Sequence, residues 1–404
     1  MSSFDIITSR LKEVLNQKYL SELLNSDKLV NAYWGTAPTG KIHIGYLCPL
    51  LKIADLIDCG CSVTILLADV HAFLDSRKSP IDEDYRSKYY EIMIKEILKI
   101  LKVDLSKVVF IRGSSFQYSV DYMKDQLVIA NDVSIMEAKN AGSQVVKQSN
   151  NPKLTSLLYP IMQSLDEKYL NADIELGGID QRKIFAFSID HVHKYTRKNM
   201  VYLMNPIIPP LSTVSQTPPS EINDAENKNK NIIWHKLYRI VNFITSHIGE
   251  ASIYAKSFIA LDTTATTTMK TEEIVKMSAS CENGKIDILD TPKTIRSKIN
   301  KVYCLPGDVS DNTLLPLCEH VIFPLLSRLG SILLIERPDK YGGNLAVNSY
   351  DDLKYMFNEQ KLHPGDLKSG ISSLLSKTFA PVRDVFSTKD MVKLLENAYP
   401  KENI

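Results

Sequence analysis

The stretch Tyr33-Trp34-Gly35-Thr36-Ala37-Pro38-Thr39-Gly40-Lys41-Ile42-His43-Ile44-Gly45-Tyr46 decides the fold class. The apolar run Lys28 to Trp34 predicts a strand, and the apolar spacing of Ile44 to Asp58 predicts a helix. The Gly/Pro/Thr-rich segment between them is then a strand-to-helix turn. His43 falls at the start of that helix, where free backbone N–H groups and the helix dipole favour phosphate. Gly40 and Gly45 let a nucleotide approach without a Cβ in the way.

Outward from this turn the pattern alternates. Ser62 to Ala68 reads as strand, Asp84 to Leu101 as helix and Lys107 to Arg112 as strand, which predicts an α/β fold with a doubly wound, Rossmann-like parallel sheet. Phe4 to Leu24 reads as one amphipathic leading helix. Asp69 and His71 follow the strand Thr64 to Ala68, at a carboxyl end where such folds hold ligands; His71 reads as a hydrogen-bonded support for Asp69. Residues 114 to 156 interrupt the alternation with helical patterns, and from Thr291 the chain is mainly helical. These shifts predict a domain over about 1–290 and a second, helical one over 291–404.

Three further segments carry polar groups in telling positions. Lys276-Met277-Ser278-Ala279-Ser280 offers a cation and two hydroxyls, a set suited to charge spreading over phosphate oxygens, although a solvated loop reads the same. Tyr159, Gln163 and Asp166 stand at i, i+4 and i+7, one face of a helix whose first turn Pro160 fits. They are either a satisfied structural network or a pocket lining. Gly177-Gly178-Ile179-Asp180-Gln181 follows a short apolar run; paired glycines allow close backbone approach, Asp180 can accept from ribose hydroxyls and Gln181 can reach a small polar ligand.

In their order and wide separation, His43-Ile44-Gly45-Tyr46 and Lys276-Met277-Ser278-Ala279-Ser280 resemble the two nucleotide signatures of the class I aminoacyl-tRNA synthetases. The fourth position of the first is Tyr46 rather than His, a substitution familiar in the eukaryotic cytosolic tyrosyl branch. With the Tyr159–Asp166 and Gly177–Lys183 segments added, the chain resembles the archaeal and eukaryotic cytosolic tyrosyl enzymes. The resemblance implies that L-tyrosine is activated with ATP and Mg²⁺ to tyrosyl-adenylate and then transferred to tRNA(Tyr). It implies catalytic roles for His43, Thr39, Lys276, Ser278 and Ser280, and ATP contacts from Gly35, Gly40, Gly45, Gly178, Asp180 and Met277. The substrate phenol would lie between Tyr33 and Asp166, and its ammonium near Tyr159, Gln163 and Gln181. A connective insertion near 114–156 would carry a homodimer interface and meet the tRNA acceptor end, with Lys139, Lys147 and Arg182 as phosphate contacts. The helical part from 291 would bind the anticodon, with Lys293 and Arg296 facing RNA.

Composition bounds the rest. The chain has 404 residues, 44% hydrophobic, with 48 Lys+Arg against 47 Asp+Glu, so no net field draws in RNA and any RNA contact needs local basic patches. Six cysteines without paired two-spaced clusters read as free thiols, and no protein metal site is expected. Cys48 reads as a small buried hydrophobe. The amino terminus has no apolar signal core and the sequence no membrane-spanning run, so the expected location is cytoplasmic. Residues from about 210 to 275 have no counterpart in the resemblance. An Asn/Lys-rich stretch there leads into an amphipathic spacing over Ile233, Leu237, Ile240, Val241, Ile244 and Ile248.

Overall fold

The computed structural model describes residues 2–76, 80–145, 153–211, 277, 284–310 and 312–400. The segment expected as an insert from about 210 to 275 lies outside the described residues beyond Leu211, as do Lys147, Lys276, Ser278 and Ser280.

Six strands form one sheet: β1 (Glu13–Leu15), β2 (Asn31–Thr36), β3 (Ser62–Leu67), β4 (Val108–Arg112), β5 (Ile174–Gly178) and β6 (Val201–Asn205), in the order β1-β6-β5-β2-β3-β4. All neighbours are parallel except β1 on β6. From β2 the chain winds to β3 and β4 on one side and then to β5 and β6 on the other. Strand order therefore reverses at the β2/β5 boundary, where doubly wound sheets open a crevice at the strands' carboxyl ends.

Both faces are covered, as a parallel sheet requires. Successive residues point to opposite sides of a strand. On one face Ala32, Trp34, Val63, Ile65, Leu176 and Leu203 join the main apolar core with helix Leu47–Asp58. On the other, Tyr33, Leu66 and Tyr202 pack with Phe185.

The leading segment differs from its expectation. Ser3–Thr8 and Gln17–Leu24 are separate helices, with β1 between them. Arg10 and Asn16 adopt left-handed φ values of 59° and 64°, and the Asn16 amide donates to the Met200 carbonyl at 3.0 Å. Pairing with β6 outweighs a local helical pattern. Lys52, 2% exposed, then closes the first helix by donating to the carbonyls of Ile6 (3.2 Å), Ile7 (3.0 Å) and Ser9 (2.7 Å).

Smaller corrections follow the same logic. The strand read as Lys28 to Trp34 runs Asn31–Thr36, in register with β3. The helix carrying Tyr159 begins at Leu154, so Pro160 stands inside it and deprives the Ser156 carbonyl of its helical donor. The stretch after Asp290 opens with helix Pro292–Asn300, capped by the Thr291 hydroxyl, and is mainly helical apart from one hairpin of β7 (Leu333–Ile335) and β8 (Leu345–Val347). It packs with the sheet in one compact unit. No helix among the described residues is long and apolar enough to cross a membrane.

Candidate active site

At the carboxyl ends of β2, β5 and β6 lies a cleft of about 760 Å³. One wall is the end of β2 and the turn after it, with Gly35, Thr39, Gly40, His43, Gly45 and Tyr46; the other is the end of β5 and the turn that continues it, Gly177–Gln181, with Tyr159 and Met277 also lining the cleft. The sheet's reversal thus brings together the segments that the sequence singled out, apart from those outside the described residues.

His43 caps a short 3-10 turn, Ile44–Tyr46, ahead of helix Leu47–Asp58. Its Nδ1 accepts the Gly45 N–H at 3.2 Å. Burial, reinforced by the positive charge of Lys285, lowers the imidazole pKa to about 4, so the ring is neutral near pH 7. With Nδ1 occupied as an acceptor, the single ring proton resides on Nε2, which is a donor. A neutral donor of this kind can bond an anionic oxygen without surrendering its proton.

The turn is held from behind. Ile44 N–H donates to the Ile286 carbonyl (2.9 Å), and Ile42 N–H to the Tyr89 hydroxyl (3.2 Å). Met277 N–H donates to the Ile208 carbonyl at 2.9 Å, which docks the residue between Lys276 and Ser278 beside Gly45.

The Gly177–Gln181 turn is tight because its glycines face side chains. A Cβ on Gly178 would come within 2.3 Å of an Asp180 oxygen. Gln181 accepts from Gln163 Nε2 at 3.1 Å, and the same nitrogen reaches Glu175 Oε1 at 3.0 Å.

Beneath the cleft is a buried polar floor. Tyr33, Glu175 and Tyr202 stand side by side across β2, β5 and β6. Burial, with the Glu175 charge next, holds the Tyr33 hydroxyl well above its ordinary pKa, and burial also raises the Glu175 carboxyl. Asp166, 1% exposed, accepts from Gln117 Nε2 (2.8 and 3.0 Å) and the Tyr122 hydroxyl (2.8 Å), while burial pushes its pKa up to about 8. Glu167 accepts from the hydroxyls of Ser188 (2.6 Å) and Tyr202 (2.9 Å), and His193 lies 3.0 Å away. Tyr159 and Gln181 line the open cleft, whereas Tyr33 and Asp166 are buried below it.

Several of these groups escaped the sequence reading. Glu175 carried a signal, a carboxylate inside the run Ile174-Glu175-Leu176; Gln117 and Tyr122 carried none, since only the fold brings them to Asp166. His71 makes no hydrogen bond to Asp69. Asp69 accepts instead from Ser114 N–H (2.8 Å) and Oγ (2.5 Å), and His71 stands edge-on to Tyr159 with centroids 4.6 Å apart. Cys48 lines the cleft, its thiol pushed up to about 12 by burial.

Among the basic candidates, Lys293 and Arg296 are exposed on helix Pro292–Asn300. Lys139 is half-buried on helix Ile135–Ala141. Arg182 is paired with Glu13 at 2.7 Å.

Residues 25–234 and 243–380 match the profile of the class I tRNA synthetases (W and Y). The chain is 37% identical to the cytoplasmic tyrosine–tRNA ligase of Saccharomyces cerevisiae, over 98% of this chain and 88% of that protein. It is 36% identical to the Xenopus tropicalis cytoplasmic tyrosine–tRNA ligase, again over 98% of this chain but 62% of that one. Among solved structures it resembles tyrosyl-tRNA synthetase from Archaeoglobus fulgidus, complexed with L-tyrosine, at TM-score 0.73 and 26% identity over 95% of this chain and 98% of that one.

Proposed function

The chain belongs to the class I tRNA synthetases that serve tryptophan and tyrosine, and from that membership we propose that it activates L-tyrosine and charges tRNA(Tyr). The observation that carries this reading is a cleft in which the His43 turn and the Gly177–Gln181 turn face each other above a floor of hydroxyl and carboxyl groups. ATP as its Mg²⁺ complex takes the His43 side, and tyrosine the Tyr159/Gln181 side.

In the first step a tyrosine carboxylate oxygen attacks the α-phosphorus; the bond to the bridging oxygen breaks, pyrophosphate leaves and tyrosyl-adenylate forms. The carboxylate is already ionised, so no protein base is required. His43 supplies its Nε2 proton as a hydrogen bond to phosphoryl oxygen, with Thr39 beside it; Lys276, Ser278 and Ser280 serve the departing pyrophosphate. Gly35, Gly40, Gly45 and Met277 make the nucleotide surface, and Asp180 takes the ribose. In the second step a terminal ribose hydroxyl of the tRNA attacks the tyrosyl carbonyl and AMP leaves.

Tyr33 and Asp166 recognise the phenol, which must displace part of the bonding that now satisfies Asp166. Gln163, Gln181 and Tyr159 take the ammonium. A substrate lacking the hydroxyl leaves buried polar groups unpaired, and the familiar example of such discrimination, about 10⁴ to 10⁵ against phenylalanine, is itself a tyrosyl enzyme.

Exposed Val120, Leu127, Val128, Ile135, Met136 and Leu154 support a homodimer through the helices of the 114–156 region. Leu127→Lys sedimenting as a dimer would count against that interface. Lys293 and Arg296 fit an RNA-facing helix in the 291–404 part, and the relatives' names favour a cytoplasmic location.

The test of the reaction is ATP–pyrophosphate exchange with tyrosine, tryptophan and phenylalanine side by side, without tRNA. Exchange with tyrosine alone is expected; exchange with tryptophan overturns the pocket assignment.

A further inference from the structure

The Gly40 carbonyl, in the turn that carries His43, accepts two phenol hydrogen bonds. One comes from Tyr90 on helix Pro80–Ile100 (2.7 Å), the other from Tyr399, which follows the last described helix, Lys389–Ala398 (2.8 Å). We propose that Tyr399 is a positioning residue for ATP: the carboxyl-terminal helices reach back and hold the nucleotide turn in its phosphate-binding shape. The proposal rests on the ATP reading of the cleft given above.

The contact is built, not incidental. Arg86 Nε donates to the Ala398 carbonyl at 2.8 Å, and its guanidinium lies 5.4 Å from the Tyr399 ring centroid. Tyr89 meets the Tyr399 ring edge-on at 5.4 Å and also receives the Ile42 N–H. Tyr46 bonds the Tyr90 hydroxyl at 3.1 Å while its ring stands edge-on to His43 at 4.9 Å. The backbone hydrogen bonds of the turn from Gly40 to Gly45 thus end on tyrosines, on the His43 ring, on the Ile286–Ile288 segment or on the start of helix Leu47–Asp58. Released from Tyr399, the Gly40 peptide gains freedom to turn, and His43, three residues on and lining the cleft, loses part of what fixes its position.

Tyr399→Phe keeps the ring against Tyr89 and Arg86 and removes only the hydroxyl. Calorimetric titration of the full-length protein with Mg²⁺–ATP, and separately with tyrosine, reads the effect without depending on turnover. The expected result is ATP affinity weakened about threefold to tenfold, the reach of one lost hydrogen bond, with tyrosine affinity unchanged. Tyr90→Phe shifts ATP affinity in the same direction, and the double variant loses more than either. ATP affinity within twofold of the parent in Tyr399→Phe overturns the proposal, as does an equal loss for both ligands, which is the signature of general loosening. A parent protein that binds ATP but shows no tyrosine-dependent exchange would instead count against the synthetase reading and leave the latch standing.

Discussion

Adding one methyl group at Gly177 tests the geometry of the amino-acid side of the cleft. An ideal Cβ there lies 2.5 Å from Gln181 Oε1 and 2.6 Å from Phe185 Cζ. The Phe185 ring is fully buried and stacked on Tyr202, with centroids 4.6 Å apart and planes 21° apart, so it cannot swing aside. Gly177 itself is held in the ladder opposite Met204. Gln181 is the group that yields, and in yielding it gives up its bond from Gln163. Overpacking of this kind costs about 1–3 kcal/mol of stability. Loss of the Gln163–Gln181 bond costs a further ~0.5–1.5 kcal/mol in the site, or about twofold to tenfold in tyrosine KM. The assay is pyrophosphate exchange at saturating ATP, paired with thermal unfolding. Gly60→Ala is the control: its φ of +89° strains any side chain by about 1–2 kcal/mol, yet nothing lies within 4 Å of the new methyl. That variant should unfold earlier with tyrosine KM unchanged. If Gly177→Ala matches the parent in both KM and unfolding, the proposed packing of this turn is wrong.

Two other outcomes follow from buried charge. Burial lowers the pKa of His71 to about 4, against about 6.5 when unfolded, so the unfolded chain binds the extra proton between those values. Stability from this ring is complete above pH 6.5 and falls as pH drops toward 4, by up to about 3 kcal/mol. His71→Leu should flatten the unfolding free energy against pH in that window by about one proton; a slope equal to the parent's refutes it. Lys52→Met removes the ammonium from three carbonyls and from Asp55, 2.8 Å away, and should cost about 3–5 kcal/mol in chemical denaturation with faster hydrogen exchange in Ser3–Thr8; a loss under about 1 kcal/mol refutes the capping role.

Sequence reading succeeded where a local pattern and a tertiary need coincide. The turn from Tyr33 to Tyr46 announces itself because glycines, an apolar strand and a helical spacing all occur within one stretch, and the fold uses it as such. Tyr159, Gln163 and Asp166 were legible as one helical face. The leading segment was not, because a three-residue edge strand leaves almost no periodic signal and depends on β6, nearly 190 residues later. The floor was half legible: Tyr33 and Asp166 stand in quoted motifs, whereas Glu175 shares its sheet face with Tyr33 and Tyr202 only through register. Gln117 and Tyr122 reach Asp166 from 49 and 44 residues away and could be found only by folding the chain. His71 was misread because sequence proximity to Asp69 suggested a partner, while helical geometry points the two side chains in different directions.

The bond from Tyr399 to Gly40 spans 359 residues of chain. At a synthesis rate of about 5–20 residues per second, roughly 20 to 70 s separate the emergence of the two ends of that bond. Closing so long a loop adds little entropy beyond a shorter one, so the delay is temporal and not thermodynamic. The sheet can assemble on the ribosome once β6 is out, but its nucleotide turn acquires its last support only when Tyr399 has been made. A nascent chain halted before Ala398 would carry the crevice and lack its brace.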